Sequence, residues 1–276
     1  MSGTDGERRD LPGTGPAPTR PSVTVVVPTR NESPNISVLV RRVRDALDGI
    51  VEWDLLFVDD SDDDTPDAVR AAAAAGYPVR LHHRPSGRRP GGLSGAVEDG
   101  FAASSAQILA VMDADLQHPP EVLPGLLAPI LGDHADLVAG TRYADAGAAS
   151  GLAGPWRRLV SSGSRVLVHA LVPRSRGLTD PLSGLFAIRR DVIADVALQA
   201  NGFKILLEVV TRGRWERATN FAYTFERRHA GRSKASLREG LLFGQHLLQL
   251  ARLRHQAPPQ PVTPRAAPSA DRRSSA

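Results

Sequence analysis

Cysteine is missing from all 276 residues, which excludes disulfides, thiolate metal sites and a cysteine nucleophile. Long apolar runs are missing as well. No window of about 18 uninterrupted apolar residues occurs, so no membrane-spanning helix is expected. The opening stretch MSGTDGERRDLPGTGPAPTRP lacks the apolar centre of a signal peptide, and export by that route is not expected. Nor is there a basic block interleaved with aromatics, as single-strand binders use. The net charge of +4 comes from arginines spread along the chain. That balance suits anionic ligands or a membrane surface and gives no reason to expect a nucleic acid.

Two ligand signatures are also missing. The loop RRPGGLSGA (88–96) lacks the Gly-Lys-Ser/Thr of a P-loop and the spacing of a dinucleotide fingerprint. Its glycines serve either a tight turn or ligand contact. The run DDSDDDTPD sets Asp60, Asp62 and Asp64 at the first, third and fifth places of a calcium loop, but Thr65 and Ala71 stand where Gly and Glu are required.

What is present suits one substantial core, with 41% hydrophobic residues. Residues 1–21 and 256–276, rich in Pro, Ala, Ser and Gly, read as disordered tails around a single domain over 22–255. A β-loop-α unit opens that domain. VTVVV (23–27) is a β-branched strand; Ser33 is the expected N-cap, and Ile36, Leu39, Val40, Val43 and Leu47 recur at helical spacing up to Gly49. The pattern repeats through DLLFV, VRLHH and ILAVM, each strand followed by a polar or Gly-rich loop and a helix. The chain is therefore α/β, with a mainly parallel central sheet flanked by helices and a C-terminal amphipathic helix over 236–254. In such sheets ligands bind beyond the carboxyl ends of the strands, where PTRNE, VDDSDDD and DADLQ all fall.

In an extended segment Asp113, Asp115 and Gln117 share one face, and three oxygen ligands suit a hard cation such as Mg²⁺ or Mn²⁺. The competing reading makes Asp113 a turn cap and Asp115 a solvated charge. Asp59 and Asp60, at a strand end, are placed to accept hydrogen bonds from a base or ribose. Arg142, Arg157, Arg158, Arg228, Arg232 and Lys234 carry the forked or point charges that phosphates favour.

Together, VVVPTRNE, LLFVDDS, GGLSGAV, MDADLQHPPE, GTRY, TDPLSG, GFKILLE and RRHAGRSK resemble the polyprenol (dolichol) phosphate mannosyltransferases. These are inverting family 2 glycosyltransferases with the GT-A type of Rossmann-like fold, and the resemblance spans about residues 22–240. It implies a donor site at Pro28, Arg30, Glu32, Val58, Asp60, Asp113 and Ala114, with Arg228 and Lys234 closing over the donor diphosphate. It implies metal ligands Asp115 and Gln117, and an acceptor phosphate held by Arg142, Arg157 and Ser161; Asp115 and these three residues form the catalytic group. Asp180, Ser183 and Glu208 match the pattern in supporting roles. The implied partners are GDP-mannose or another nucleotide sugar, a polyprenyl phosphate, and the cytoplasmic face of a membrane, held peripherally with room for a separate anchoring subunit. Two departures stand out: DDSDDDTPD replaces the family's DDGSPDGT, and Arg30 replaces a tyrosine. A UDP-glucose-dependent polyprenyl-phosphate glucosyltransferase is the near alternative. A sugar nucleotidyltransferase and a catalytically silent binding module are the more distant ones.

Overall fold

The computed structural model describes residues 20–142, 165–199, 204–229 and 237–253. Arg157, Ser161 and Lys234, residues 1–19 and the expected tail at 256–276 lie outside the described residues.

The β-branched run becomes the strand β1 (Ser22–Thr29), buried on both faces: Val23, Val25 and Val27 join one apolar cluster and Val26 the other, as the period of two requires. The same alternation runs through β2 (Glu52–Asp59) and β4 (Ile108–Val111). With β3 (Val79–His83), β5 (Leu137–Thr141), β6 (Phe186–Arg189) and β7 (Ala218–Ala222) they form a seven-stranded sheet in the order β3-β2-β1-β4-β6-β5-β7. Every pairing is parallel except the two made by β6.

Helices cover both faces, as expected for buried parallel strands. On one side lie α1 (Ser33–Leu47), α2 (Thr65–Ala74) and, after a 3₁₀ turn at Pro120–Val122, α4 (Leu123–Leu131). On the other lie α3 (Gly92–Ala102) and α6 (Ile205–Arg212), the latter following the helical residues 165–171 (α5) in the chain. The expected N-cap at Ser33 is one residue late. Ser33 is already helical and Glu32 holds the N-cap position without a side-chain cap hydrogen bond, after the chain turns through Asn31 at φ 54°.

Over residues 243–252 the C-terminal helix α7 (Leu237–Leu253) buries apolar side chains against protein. Leu247 and Leu250 pack with Val168 and Val172 on the α5 side and with Leu207 of α6, and His246 places Nε2 2.7 Å from Glu208 Oε1. Leu248 alone of its large apolar residues over 243–252 is markedly exposed. No helix among the described residues is long and apolar enough to cross a membrane.

Candidate active site

From β1 the chain steps to β2 on one side, while β4 lies on the other, so the carboxyl ends of β1 and β4 flank the point where the sheet's winding reverses. A cavity of about 290 Å³ opens there. Its lining brings together Pro28, Arg30, Glu32, Asp60, Asp113, Ala114, Asp115 and Arg228, all expected as site residues, with Thr29 of PTRNE, Gly92 of the glycine loop, whose ligand contact was one of two readings, and Leu93 and Ala96, which were not singled out. Val58 is elsewhere: its side chain is fully buried in the core between the sheet and α3.

The segment Asp113–Gln117, expected to hold the metal, is not extended. After β4 the chain enters a tight turn with Leu116 at φ 63°, and Gln117 N–H donates to Asp115 Oδ1 at 3.0 Å. Alternation along a strand is therefore not what aligns the oxygens. The turn does so, braced from β7's far side: Glu226 N–H donates to the Gln117 carbonyl at 2.9 Å and His229 N–H to that of Asp115 at 3.1 Å. This bracing delivers Arg228, whose Nη2 lies 2.8 Å from Asp115 Oδ2 and 3.2 Å from Gln117 Oε1. Two oxygens thus converge on one positive nitrogen. Nη1 reaches toward Glu32 Oε1 at 3.9 Å.

Burial raises the Asp113 carboxyl above its usual range, and burial together with the Asp113 charge does the same at Asp115. At Asp113 this desolvation outweighs the nearby charges of Lys204, Arg228 and Arg142. A divalent cation fits this edge: one carboxylate and one amide oxygen already point at a single locus, hard ions take oxygen ligands, and few protein ligands leave positions for phosphate oxygens. No group of three or more acidic or histidine side chains converges among the described residues, so such an ion would rely on Asp115 and Gln117.

Beneath the turn, His118 is buried and desolvation brings it down to about 4, which keeps the ring neutral near neutral pH. Its Nδ1 accepts the Asp113 N–H at 3.3 Å, and its edge meets the rings of Tyr223 and Phe225 at 5.6 Å each. Gly184 leaves room for the Asp113 carboxylate: a Cβ there would stand 2.9 Å from Oδ2.

At the other end of the cavity, adjacent acids have parted company. Asp59 is fully buried and accepts from Thr29 Oγ1 at 2.7 Å, Ser61 Oγ at 2.5 Å and Ser61 N–H at 3.3 Å, with His83 Nδ1 at 2.8 Å. It ties together the ends of three strands and offers nothing to a base or ribose, contrary to the expectation. Asp60 lines the cavity, and each of its oxygens accepts from Arg84, a residue the sequence reading passed over.

Arg142, just past β5, reaches Asp180 Oδ2 through Nε at 2.9 Å and packs its guanidinium 5.3 Å from the Phe225 ring centre. The buried Asp180 thus orients the arginine expected at the acceptor phosphate. Ser183 closes a turn, accepting the Leu185 N–H at 3.1 Å. Glu208 joins α6 to α7 through His246 and also accepts from Arg212.

Against known proteins, the Glycosyl transferase family 2 profile matches residues 24–196. The chain is 36% identical to a dolichol-phosphate mannosyltransferase of Pyrococcus furiosus over 83% of its own length, and spans 63% of that protein. It is 37% identical to the Saccharomyces cerevisiae dolichol-phosphate mannosyltransferase, covering 83% of this chain and 85% of that one. In structure it resembles the glucosyl-3-phosphoglycerate synthase of Mycobacterium tuberculosis, crystallised with Mn²⁺, UDP-glucose and phosphoglyceric acid. That match has a TM-score of 0.60 at 21% identity over 85% of this chain and 79% of that one, and it carries the GT-A architecture. Sheet order, cleft position and family profile agree, and the chain belongs to glycosyl transferase family 2.

Proposed function

We propose that the chain transfers mannose, with inversion, from GDP-mannose to a polyprenyl phosphate at a membrane surface, reached directly or through a separate anchoring subunit, with Mg²⁺ or Mn²⁺ as cofactor. The observation that carries this reading is the convergence of Asp115 Oδ2 and Gln117 Oε1 on a single Arg228 nitrogen inside a cleft that Asp60 closes at its other end. Relatives named dolichol-phosphate mannosyltransferases support the choice of sugar and acceptor.

The reaction asks little of a base. A phosphate monoester is already ionised near neutral pH, so its oxygen attacks the anomeric carbon without prior proton removal, while the bond from that carbon to the donor diphosphate breaks. A bound divalent cation supplies charge neutralisation on the departing nucleoside diphosphate. Arg228, once drawn from the carboxylates to the diphosphate, shares that charge. Arg142, fixed by Asp180 and Phe225, holds the acceptor phosphate for in-line approach. Arg157, Ser161 and Lys234 join these roles in the proposal. No side chain serves as a dedicated general base.

The test offers labelled GDP-mannose, UDP-glucose and UDP-N-acetylglucosamine in parallel to the full chain with polyprenyl phosphate and Mn²⁺. Mannose should move to lipid from GDP-mannose in preference to the others, and Asp115→Ala should lower that transfer by on the order of 10²–10³-fold. Transfer from UDP-glucose alone would replace mannose by glucose in the proposal, and no transfer from any donor would overturn it.

A further inference from the structure

Arg84 follows β3 and is 97% buried, at 3% relative exposure. All five of its guanidinium N–H groups have acceptors. Nε donates to Asp60 Oδ1 at 2.7 Å, and Nη2 to Asp60 Oδ2 at 2.6 Å and the Gly92 carbonyl at 2.9 Å. Nη1 donates to Asp99 Oδ2 at 3.0 Å and the Pro90 carbonyl at 3.2 Å. A guanidinium carries five donors, so this one is saturated.

It joins the cavity-lining Asp60 and Gly92 to Pro90 and Asp99 behind them, and the neighbouring Arg89 adds a second tie from the same turn to the Ser61 carbonyl and Asp62. Asp60 directly follows β2, Pro90 and Gly92 belong to the turn into α3, and Asp99 lies on α3 itself. That turn exists in the form Arg84 needs because Gly91 and Gly92 take φ of 71° and 56°. It is also pressed close: a Cβ on Gly95 would fall 2.1 Å from the Pro90 oxygen and 3.1 Å from Arg84 Nη1. Asp60, Gly92, Leu93 and Ala96 line the cavity, whereas Arg84 does not.

We propose that Arg84 is the positioning residue of the donor's nucleoside end: its fork holds Asp60 in one orientation and sets the distance between that carboxylate and the α3 turn, so that the wall accepts hydrogen bonds from a nucleoside N–H or O–H. This rests on the donor being a nucleotide sugar. A carboxylate has about four lone-pair sites and accepts only, so with two sites on Arg84 the remainder face a hydrogen-bond donor. The charge of Asp60 is balanced from behind by Arg84, so binding at this end draws on geometry more than on net attraction. A lysine in place of Arg84 keeps the charge and loses the fork, which is the feature the proposal depends on.

The test titrates GDP and UDP, in the presence of Mn²⁺, into wild type, Arg84→Lys and Arg174→Lys by calorimetry, then compares kcat and KM for the nucleotide sugar. Arg174 is the control, a partly buried arginine on the Thr211, Gly213 and Trp215 carbonyls that lines no part of the cavity. Arg84→Lys should weaken the better nucleotide by about tenfold, with the loss in KM rather than kcat, while Arg174→Lys lowers Tm and leaves nucleotide affinity in place. Unchanged affinity in folded Arg84→Lys, or equal losses in both variants, overturns the proposal. Should Arg84→Lys fail to fold, Asp99→Asn reads the same linkage from outside the cavity. It should weaken the nucleotide by about two- to fivefold, and unchanged affinity there overturns the proposal. A wild-type chain that binds neither nucleotide overturns the functional reading itself, a result distinct from a loss confined to the variants.

Discussion

The two ends of the cleft are built on opposite plans. At the β2 end, Asp59 and Asp60 have their carboxylate oxygens met by hydroxyls, a ring nitrogen and a saturated arginine. At the β4 end, Asp113 and Asp115 are desolvated and raised above their usual range, and Asp115 pairs with the guanidinium of Arg228 brought in from beyond β7. The first end is braced before any ligand arrives, with only the remaining lone pairs of Asp60 left to one. The second holds desolvated carboxylates that a bound cation can stabilise. A satisfied polar network rigidifies, whereas a desolvated pair stores its interaction for binding.

The contrast is sharpest where substitution separates activity from stability. Asp115→Ala should lower transfer by on the order of 10²–10³-fold, with Tm scarcely moved because the residue sits in a turn at the cavity; a large drop in Tm would make the β4 end as structural as the β2 end. Arg228→Ala should cost transfer by about 10²-fold yet raise Mn²⁺ affinity in the absence of nucleotide, since the competing cation is gone. Spin-resonance titration of free Mn²⁺ checks this, and weaker binding would show that Arg228 supports the ion rather than standing in its place. Gly184→Ala pushes a Cβ to 2.9 Å from Asp113 Oδ2 and should lower kcat by about tenfold while Tm stays close to wild type. At the β2 end, Asp59→Asn exchanges an acceptor for a donor among groups that already donate. It should destabilise by about 1–3 kcal/mol in chemical denaturation, and the activity that remains at low temperature should be near normal per folded molecule.

Much of the fold was legible because it follows from periodicity. The valines of β1, the i, i+3, i+4 pattern of α1 and the acids closing β2 and β4 are local signals, and a parallel sheet places such ends together. Other features depend on partners distant in the chain. The left-handed Leu116 leaves no mark in sequence, since nothing about leucine announces a positive φ. Asp59 and Asp60 look alike as neighbours, and only the register Thr29–Asp59–His83 across three strands decides which one is consumed by the scaffold. Arg84 was hidden among many arginines, although its place directly after β3 put it at the same sheet edge as the acids. An amphipathic stripe such as that of α7 cannot say whether lipid or protein covers it; the buried His246–Glu208 contact shows protein over the described part.

The central claim is that Asp115 and Gln117 form the cation edge of the cleft. It is tested most directly by counting Mn²⁺ bound to wild type, Asp115→Asn and Gln117→Ala, with and without GDP. The account predicts one ion per wild-type chain, bound more tightly when GDP is present, and loss of that GDP-linked site in Asp115→Asn with weakening in Gln117→Ala. A GDP-linked ion that binds both variants as it binds wild type would contradict it.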